Sequence, residues 1–154
     1  MMSLCCDVLK ALEGKSLVTA ESCTGGGIGA ALTAIAGSSS VYKGGIISYT
    51  NWVKQNLLAV PHSYLEQFGA VSAPVAEAMA VGARQTLMAD VAVSITGLAG
   101  PGGDEFGNPV GTVFVGYSDE RLTMSEEHHF TGDRETVRKL AVEAALRLVL
   151  KFHS

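Results

Sequence analysis

The stretch Ser16-Leu17-Val18-Thr19-Ala20-Glu21-Ser22-Cys23-Thr24-Gly25-Gly26-Gly27 decides how this chain folds. The apolar run over 16–20 reads as a short buried strand. Ile28, Leu32, Ile35 and Ala36 then recur at helical spacing over 26–36. Hydroxyls and glycines lie between the two. A strand that turns through such residues into a helix aims backbone N–H groups at one spot, which suits an anion or a developing oxyanion. Ser22 and Cys23 are both candidate nucleophiles there. A tight turn with no chemistry is the plainer alternative, since glycines commonly serve such turns.

The same arrangement returns later in the chain. Val91-Ala92-Val93-Ser94-Ile95-Thr96 is nearly continuously apolar, as a sheet centre covered on both faces requires. Gly97-Leu98-Ala99-Gly100-Pro101-Gly102-Gly103-Asp104 follows it directly. Ligands of open α/β sheets bind at that edge, beyond the carboxyl ends of the strands. Helical spacing predicts an opening helix over 3–12. A strand is expected at Ile46–Tyr49, and then a short helix capped by Asn51 that carries Val53, Lys54, Leu57 and Leu58. Pro61 to Phe68 reads as another short helix, and Ser72 as the cap of a longer one reaching about Met88. Val110–Tyr117 and residues 122–130 pair as a hairpin. Asp133 caps a last helix to about Phe152. The order predicts one three-layer α/β/α domain over residues 1–154, with a mixed sheet. Neither glycine loop is a dinucleotide fingerprint, and neither a phosphate-loop signature nor a G-x-S-x-G elbow occurs.

Composition narrows the partners. Of 154 residues, 47% are hydrophobic and 17% charged, against about 25% charged in typical domains. The shortage of charge predicts that some surface is covered by self-association into a homo-oligomer. The net charge is −4, without a Lys/Arg cluster, which speaks against nucleic-acid binding. Cys5, Cys6 and Cys23 match neither a disulfide framework nor zinc-ligand spacing. No signal peptide or membrane-length apolar run occurs, so a cytoplasmic location without membrane attachment is expected.

The four histidines, His62, His128, His129 and His153, all lie outside the glycine loops. Another base is then needed if a serine is to attack. Lys54 follows the 46–49 strand by one helical turn, and Tyr49 ends that strand. Both are placed to converge on a serine, as in Ser-Lys hydrolases. Such a lysine must have a lowered pKa, through burial or a nearby cation. A solvated helix lysine is the plain alternative. Arg134 opens the last helix, where a cation opposes the dipole unless it binds an anion. Arg138 lies one turn on, and the pair suits a phosphate; charge balance with Asp133 and Glu135 is the alternative.

Seven segments in order identify a resemblance. They are Ala20-Glu21-Ser22-Cys23-Thr24-Gly25-Gly26, Ala36-Gly37-Ser38-Ser39, Gly45-x-x-x-Tyr49-x-Asn51-x-x-Lys54, Gly69-Ala70-Val71-Ser72, Thr96-Gly97-Leu98-Ala99-Gly100-Pro101-Gly102-Gly103, Pro109-Val110-Gly111-Thr112 and Gly132-Asp133-Arg134. The chain resembles the CinA C-terminal domain family from about residue 7 to 150, as a stand-alone member similar to the bacterial nicotinamide-nucleotide amidases. The resemblance implies hydrolysis of the carboxamide of nicotinamide mononucleotide to nicotinate mononucleotide and ammonia, in pyridine-nucleotide salvage. It implies serine and lysine chemistry without metal or cofactor.

Carried over by position, Ser39 is the nucleophile, Lys54 its base and Tyr49 an orienting or relaying group. Ser22 matches the other family serine, and whether it also does chemistry stays open. Backbone N–H groups of a glycine loop hold the oxyanion. Thr24, Gly25, Gly26, Thr96, Gly97, Gly100, Gly102 and Gly103 hold the substrate, with Arg134 or Arg138 on its phosphate. Two other readings stand beside this one: a non-catalytic nucleotide-binding module of the same fold, and an amidase that uses Cys23.

Overall fold

The buried strand opening the chain's first βα unit is β1 (Leu17–Glu21), and in the computed structural model, which describes residues 1–153, it pairs on both sides. Its parallel neighbours are β2 (Tyr42–Ile47) and β3 (Val91–Gly97). β4 (Thr112–Ser118) runs antiparallel to β3, and β5 (Thr123–His129) antiparallel to β4, giving one mixed sheet in the order β2-β1-β3-β4-β5.

Alternation along the strands sets the two faces. Leu17, Val91, Val93, Ile95, Val113 and Val115 join a core with α1 (Met2–Ala11), α2 (Gly27–Thr33) and α6 (Arg134–Lys151). Val18, Ala20 and Ala92 point the other way, onto α3 (Asn51–Leu58), α4 (His62–Phe68) and α5 (Ala73–Thr86). Small residues let α5 lie close: a Cβ at Gly82 would strike the Leu58 carbonyl of α3, and one at Gly116 the Ala76 carbonyl of α5. The three-layer α/β arrangement and the terminal hairpin are therefore as the residue patterns predict.

The larger boundary differences are four. β2 starts at Tyr42 and takes in Gly44 and Gly45, which read as loop from composition. Glycine is needed at 45 because the Thr19 side chain, bonded to the Tyr42 hydroxyl at 2.7 Å, fills the space where a Cβ would stand. Tyr49 accordingly lies beyond the strand rather than ending it. α2 stops at Thr33, whose hydroxyl donates back to the Gly29 carbonyl at 2.7 Å, and a 3-10 turn over Ser38–Ser40 follows. Thr50, not Asn51, caps α3, its hydroxyl accepting from Val53 N–H at 3.5 Å. β4 begins at Thr112, two residues later than expected.

The topology creates one crevice. The chain leaves β1 over one face through α2 to reach β2, then returns over the other face through α3, α4 and α5 to β3. The carboxyl ends of β1 and β3 are thus the point where the winding reverses, which is where open α/β sheets bind ligands.

Candidate active site

Ser22 is the first residue past β1, and its N–H still continues the sheet ladder to the Ile95 carbonyl at 3.0 Å. Across the crevice, the end of β3 supplies Gly97 and the loop after it Leu98, Ala99, Gly100 and Gly102. Between them lies a cavity of about 340 Å³, also lined by Cys23, Tyr49, Asn51, Lys54, Ala70, Val71, Thr96 and Arg134. A second cavity of about 380 Å³ shares Asn51, Ala70, Val71 and Leu98 as walls and ends on Phe106. Both fall within the size range of small-ligand pockets, roughly 300–1,000 Å³.

Lys54 is the centre of this site. It sits on α3 and is only 1% exposed. Its Nζ donates to Ser22 Oγ at 3.1 Å and to the Ser48 carbonyl at 2.8 Å. None of the ion pairs among the described residues involves it. Burial without a carboxylate partner disfavours the ammonium form and lowers the Lys54 pKa to about 8, against a small opposing pull from Cys23. A neutral amine has two hydrogens and one lone pair. The Ser48 carbonyl can only accept, so it engages a hydrogen and leaves the lone pair free for the Ser22 hydroxyl. A hydroxyl beside such an amine is an activated nucleophile.

Ser39 does not reach this lysine. It lies exposed on the 3-10 turn that precedes β2, whereas Lys54 follows β2. Because β2 runs parallel to β1, Ser39 stands at the amino edge of the sheet and Ser22 at the carboxyl edge. Six strand residues at about 3.3 Å each hold the two edges about 20 Å apart. The expected pairing of Ser39 with Lys54 is thereby replaced by that of Ser22 with Lys54.

Tyr49 is also displaced from the expected relay position. It is 58% exposed at the rim of the cavity, where its hydroxyl accepts from Arg134 Nη2 at 3.2 Å. Arg134 Nη1 donates to the Gly100 carbonyl at 2.7 Å, so this arginine joins α6, Tyr49 and the β3 loop over the cavity mouth. Arg138 behaves differently. Its Nε and Nη2 donate to the carbonyls of Cys23 and Thr24 at 3.0 and 3.2 Å, gripping the Ser22 turn from outside the cavity. Arg138 does not line this cavity, so its remaining donors do not face a ligand held there.

Thr24 is buried, with its hydroxyl donating to Glu21 Oε1 at 2.7 Å, and Gly25 and Gly26 serve the turn with φ of 58° and 105°. None of these three lines the cavity, and neither does Gly103. Thr96 does line it, held by its hydroxyl on the Ala70 carbonyl at 2.8 Å. Cys23 also lines it, but burial pushes its thiol up to about 11, which leaves almost no thiolate near neutrality. Two participants were not legible as such. Ser48 contributes only a carbonyl, for which no side-chain signal exists. Asn51 has the right residue type, but reads from sequence as a helix cap.

Among the described residues no group of three or more His, Cys, Asp or Glu is arranged to hold a metal ion, and no helix is long and apolar enough to cross a membrane.

An α/β domain with a buried serine–lysine pair at its winding reversal is the class these features define. The CinA C-terminal domain profile matches residues 2–153, and the chain belongs to that family. A CinA-like protein of Synechococcus sp. (strain RCC307) is 49% identical over 152 residues, covering 96% of this chain and 36% of the relative. The chain thus spans about a third of the length of the curated relatives it matches. Among solved structures, the competence damage-inducible protein A (ComA) of Klebsiella pneumoniae subsp. pneumoniae MGH 78578 is 38% identical with TM-score 0.95, covering 98% of this chain and 96% of that one. The competence/damage inducible protein CihA of Agrobacterium tumefaciens is 37% identical with TM-score 0.95, covering 99% and 95%.

Proposed function

We propose that this protein hydrolyses the carboxamide of nicotinamide mononucleotide to nicotinate mononucleotide and ammonia, through a Ser22 acyl-enzyme. The observation that carries the reading is the Lys54 Nζ–Ser22 Oγ contact inside a cavity. The substrate comes from the resemblance to nicotinamide-nucleotide amidases.

In the first half-reaction Lys54, as the free amine, takes the Ser22 proton while Oγ bonds to the carboxamide carbon. The carbonyl oxygen becomes an oxyanion. The backbone N–H group of Cys23, which lines the cavity, pairs with no other residue's acceptor among the described residues, and it suits that charge. Lys54 then returns its proton to the amide nitrogen, the C–N bond breaks and ammonia leaves. In the second half-reaction Lys54 takes a proton from water, the hydroxyl oxygen bonds to the acyl carbon, and the proton goes back to Ser22 Oγ. The carboxylate product is released.

Arg134 has donors left after its contacts with Gly100 and Tyr49 and stands at the cavity rim, so it takes the 5′-phosphate. Gly97, Gly100 and Gly102 form the facing wall without side chains, and Thr96 and Asn51 offer polar atoms to the ring and ribose. The test is to incubate the purified protein with nicotinamide mononucleotide and measure ammonia and nicotinate mononucleotide together. The reading expects equal amounts of both, accumulating over many turnovers. Folded protein that releases neither overturns it.

A further inference from the structure

We infer that Glu21 is a positioning residue that locks the Ser22 turn and the Lys54 amine into one register; the inference rests on the proposed Ser22–Lys54 chemistry. Glu21 is the last residue of β1 and is only 2% exposed. It does not line the cavity, so it does not act on substrate directly. Its carboxyl group instead accepts three hydrogen bonds from its own chain. Oε1 takes the Thr24 hydroxyl at 2.7 Å and the Ile28 N–H at 2.8 Å, and Oε2 takes the Gly29 N–H at 3.1 Å. The turn that carries Ser22 is therefore tied at its far side to the strand that enters it.

The main chain of the same residue reaches the other half of the pair. The Glu21 carbonyl accepts the Ser48 N–H at 2.8 Å, and the Ser48 carbonyl accepts Lys54 Nζ at 2.8 Å. Side chain and backbone of one residue thus run to the nucleophile's turn and to the base. A displacement of Glu21 moves both ends of a 3.1 Å contact.

Packing alone does not ask for a carboxyl group here. β1 is buried along its whole length and its other four residues are Leu17, Val18, Thr19 and Ala20. Burying an acid is costly unless each oxygen is satisfied. The N-cap position of α2 is Gly26, which has no side chain to offer, so the Ile28 and Gly29 N–H groups in the first turn depend on a residue from the strand. The carboxyl oxygens are turned to Thr24, Ile28 and Gly29, and none of the ion pairs among the described residues joins Glu21 to Lys54, so the amine keeps its unpaired burial.

The test replaces Glu21 by glutamine, whose amide keeps the shape but sets an N–H against the Gly29 N–H. Two readouts are taken on folded protein. One is kcat and KM for nicotinamide mononucleotide. The other is the rate at which phenylmethanesulfonyl fluoride sulfonylates Ser22, read by mass spectrometry. In that step the Ser22 Oγ–S bond forms, fluoride leaves and Lys54 takes the hydroxyl proton, so no amide substrate is needed. For Glu21→Gln, kcat and the sulfonylation rate fall together by about 10- to 100-fold, while KM stays within about threefold.

Thr24→Val removes one donor and leaves the cap on α2 intact. It lowers both rates by about three- to tenfold and decides the matter if Glu21→Gln fails to fold. Rates within about threefold of the parent in either folded variant overturn the inference, as does a rise in KM at unchanged kcat. If the parent protein sulfonylates at Ser22 in a Glu21-dependent way yet releases no ammonia, the amidase reading falls and the positioning role stands. If it does neither, both fall.

Discussion

Lys54 Nζ lies 3.1 Å from Ser22 Oγ, and the two residues come from elements on either side of the sheet's carboxyl edge, one just past β1 and one on α3. The amine has no carboxylate partner, and its pKa is lowered to about 8 by burial. Below that value Lys54 carries the proton it must accept, so the account predicts that kcat/KM rises tenfold per pH unit and levels off above about pH 8. A pH–rate profile that is flat from 6 to 9 contradicts a lysine base.

The same burial sets a stability prediction. A lysine whose folded pKa is lowered binds its proton more weakly in the native state than in the unfolded one. Stability then rises with pH across the window between the two values, about 8 and 10.5. Below that window the full cost applies, which a lowering of this size puts at about 3 kcal/mol. Lys54→Met removes the buried charge but leaves the Ser48 carbonyl without its donor. It should therefore stabilise the protein by about 1–2 kcal/mol at pH 7 while abolishing turnover. Denaturant titration checks the sign: the gap between variant and parent should close as pH is raised above 8 and reverse by about pH 10. A variant less stable than the parent at pH 7 contradicts the account.

The two arginines of α6 separate into different kinetic roles. Arg134 faces the cavity and Arg138 holds the Cys23 and Thr24 carbonyls. Arg134→Ala should raise KM for the nucleotide by about 10- to 100-fold with a smaller change in kcat, since it removes a phosphate contact. Arg138→Ala should lower kcat by about tenfold or more with KM nearly unchanged, since it loosens the nucleophile's turn. Steady-state kinetics on the two variants checks this. The reverse pattern would place the phosphate on Arg138.

Much of this fold is legible in the sequence. The near-continuous apolar run at 91–96 and the alternation of strands with helical spacings follow from strand and helix periods, and they place the sheet between two helical layers. Lys54 was legible because histidines are absent from the glycine loops. The choice of serine was not. Ser39 is nearer to Lys54 in sequence, but β2 carries the chain across the whole sheet between them, and strand direction outweighs sequence distance. Arg134 and Arg138 lie one helical turn apart, so periodicity puts both on one side. Only tertiary packing decides that one meets the cavity and the other two backbone carbonyls. Gly44 and Gly45 hid the start of β2, because the reason for a glycine at 45 is the Thr19 side chain on the neighbouring strand.

The most direct test compares Ser22→Ala with Ser39→Ala in the turnover of nicotinamide mononucleotide. Ser22→Ala should lose about a thousandfold or more in kcat, because it removes the attacking atom. Ser39→Ala, on an exposed turn at the opposite edge, should stay within about threefold of the parent. A Ser22→Ala protein that keeps near-parent turnover, with Ser39→Ala inactive, would contradict the account.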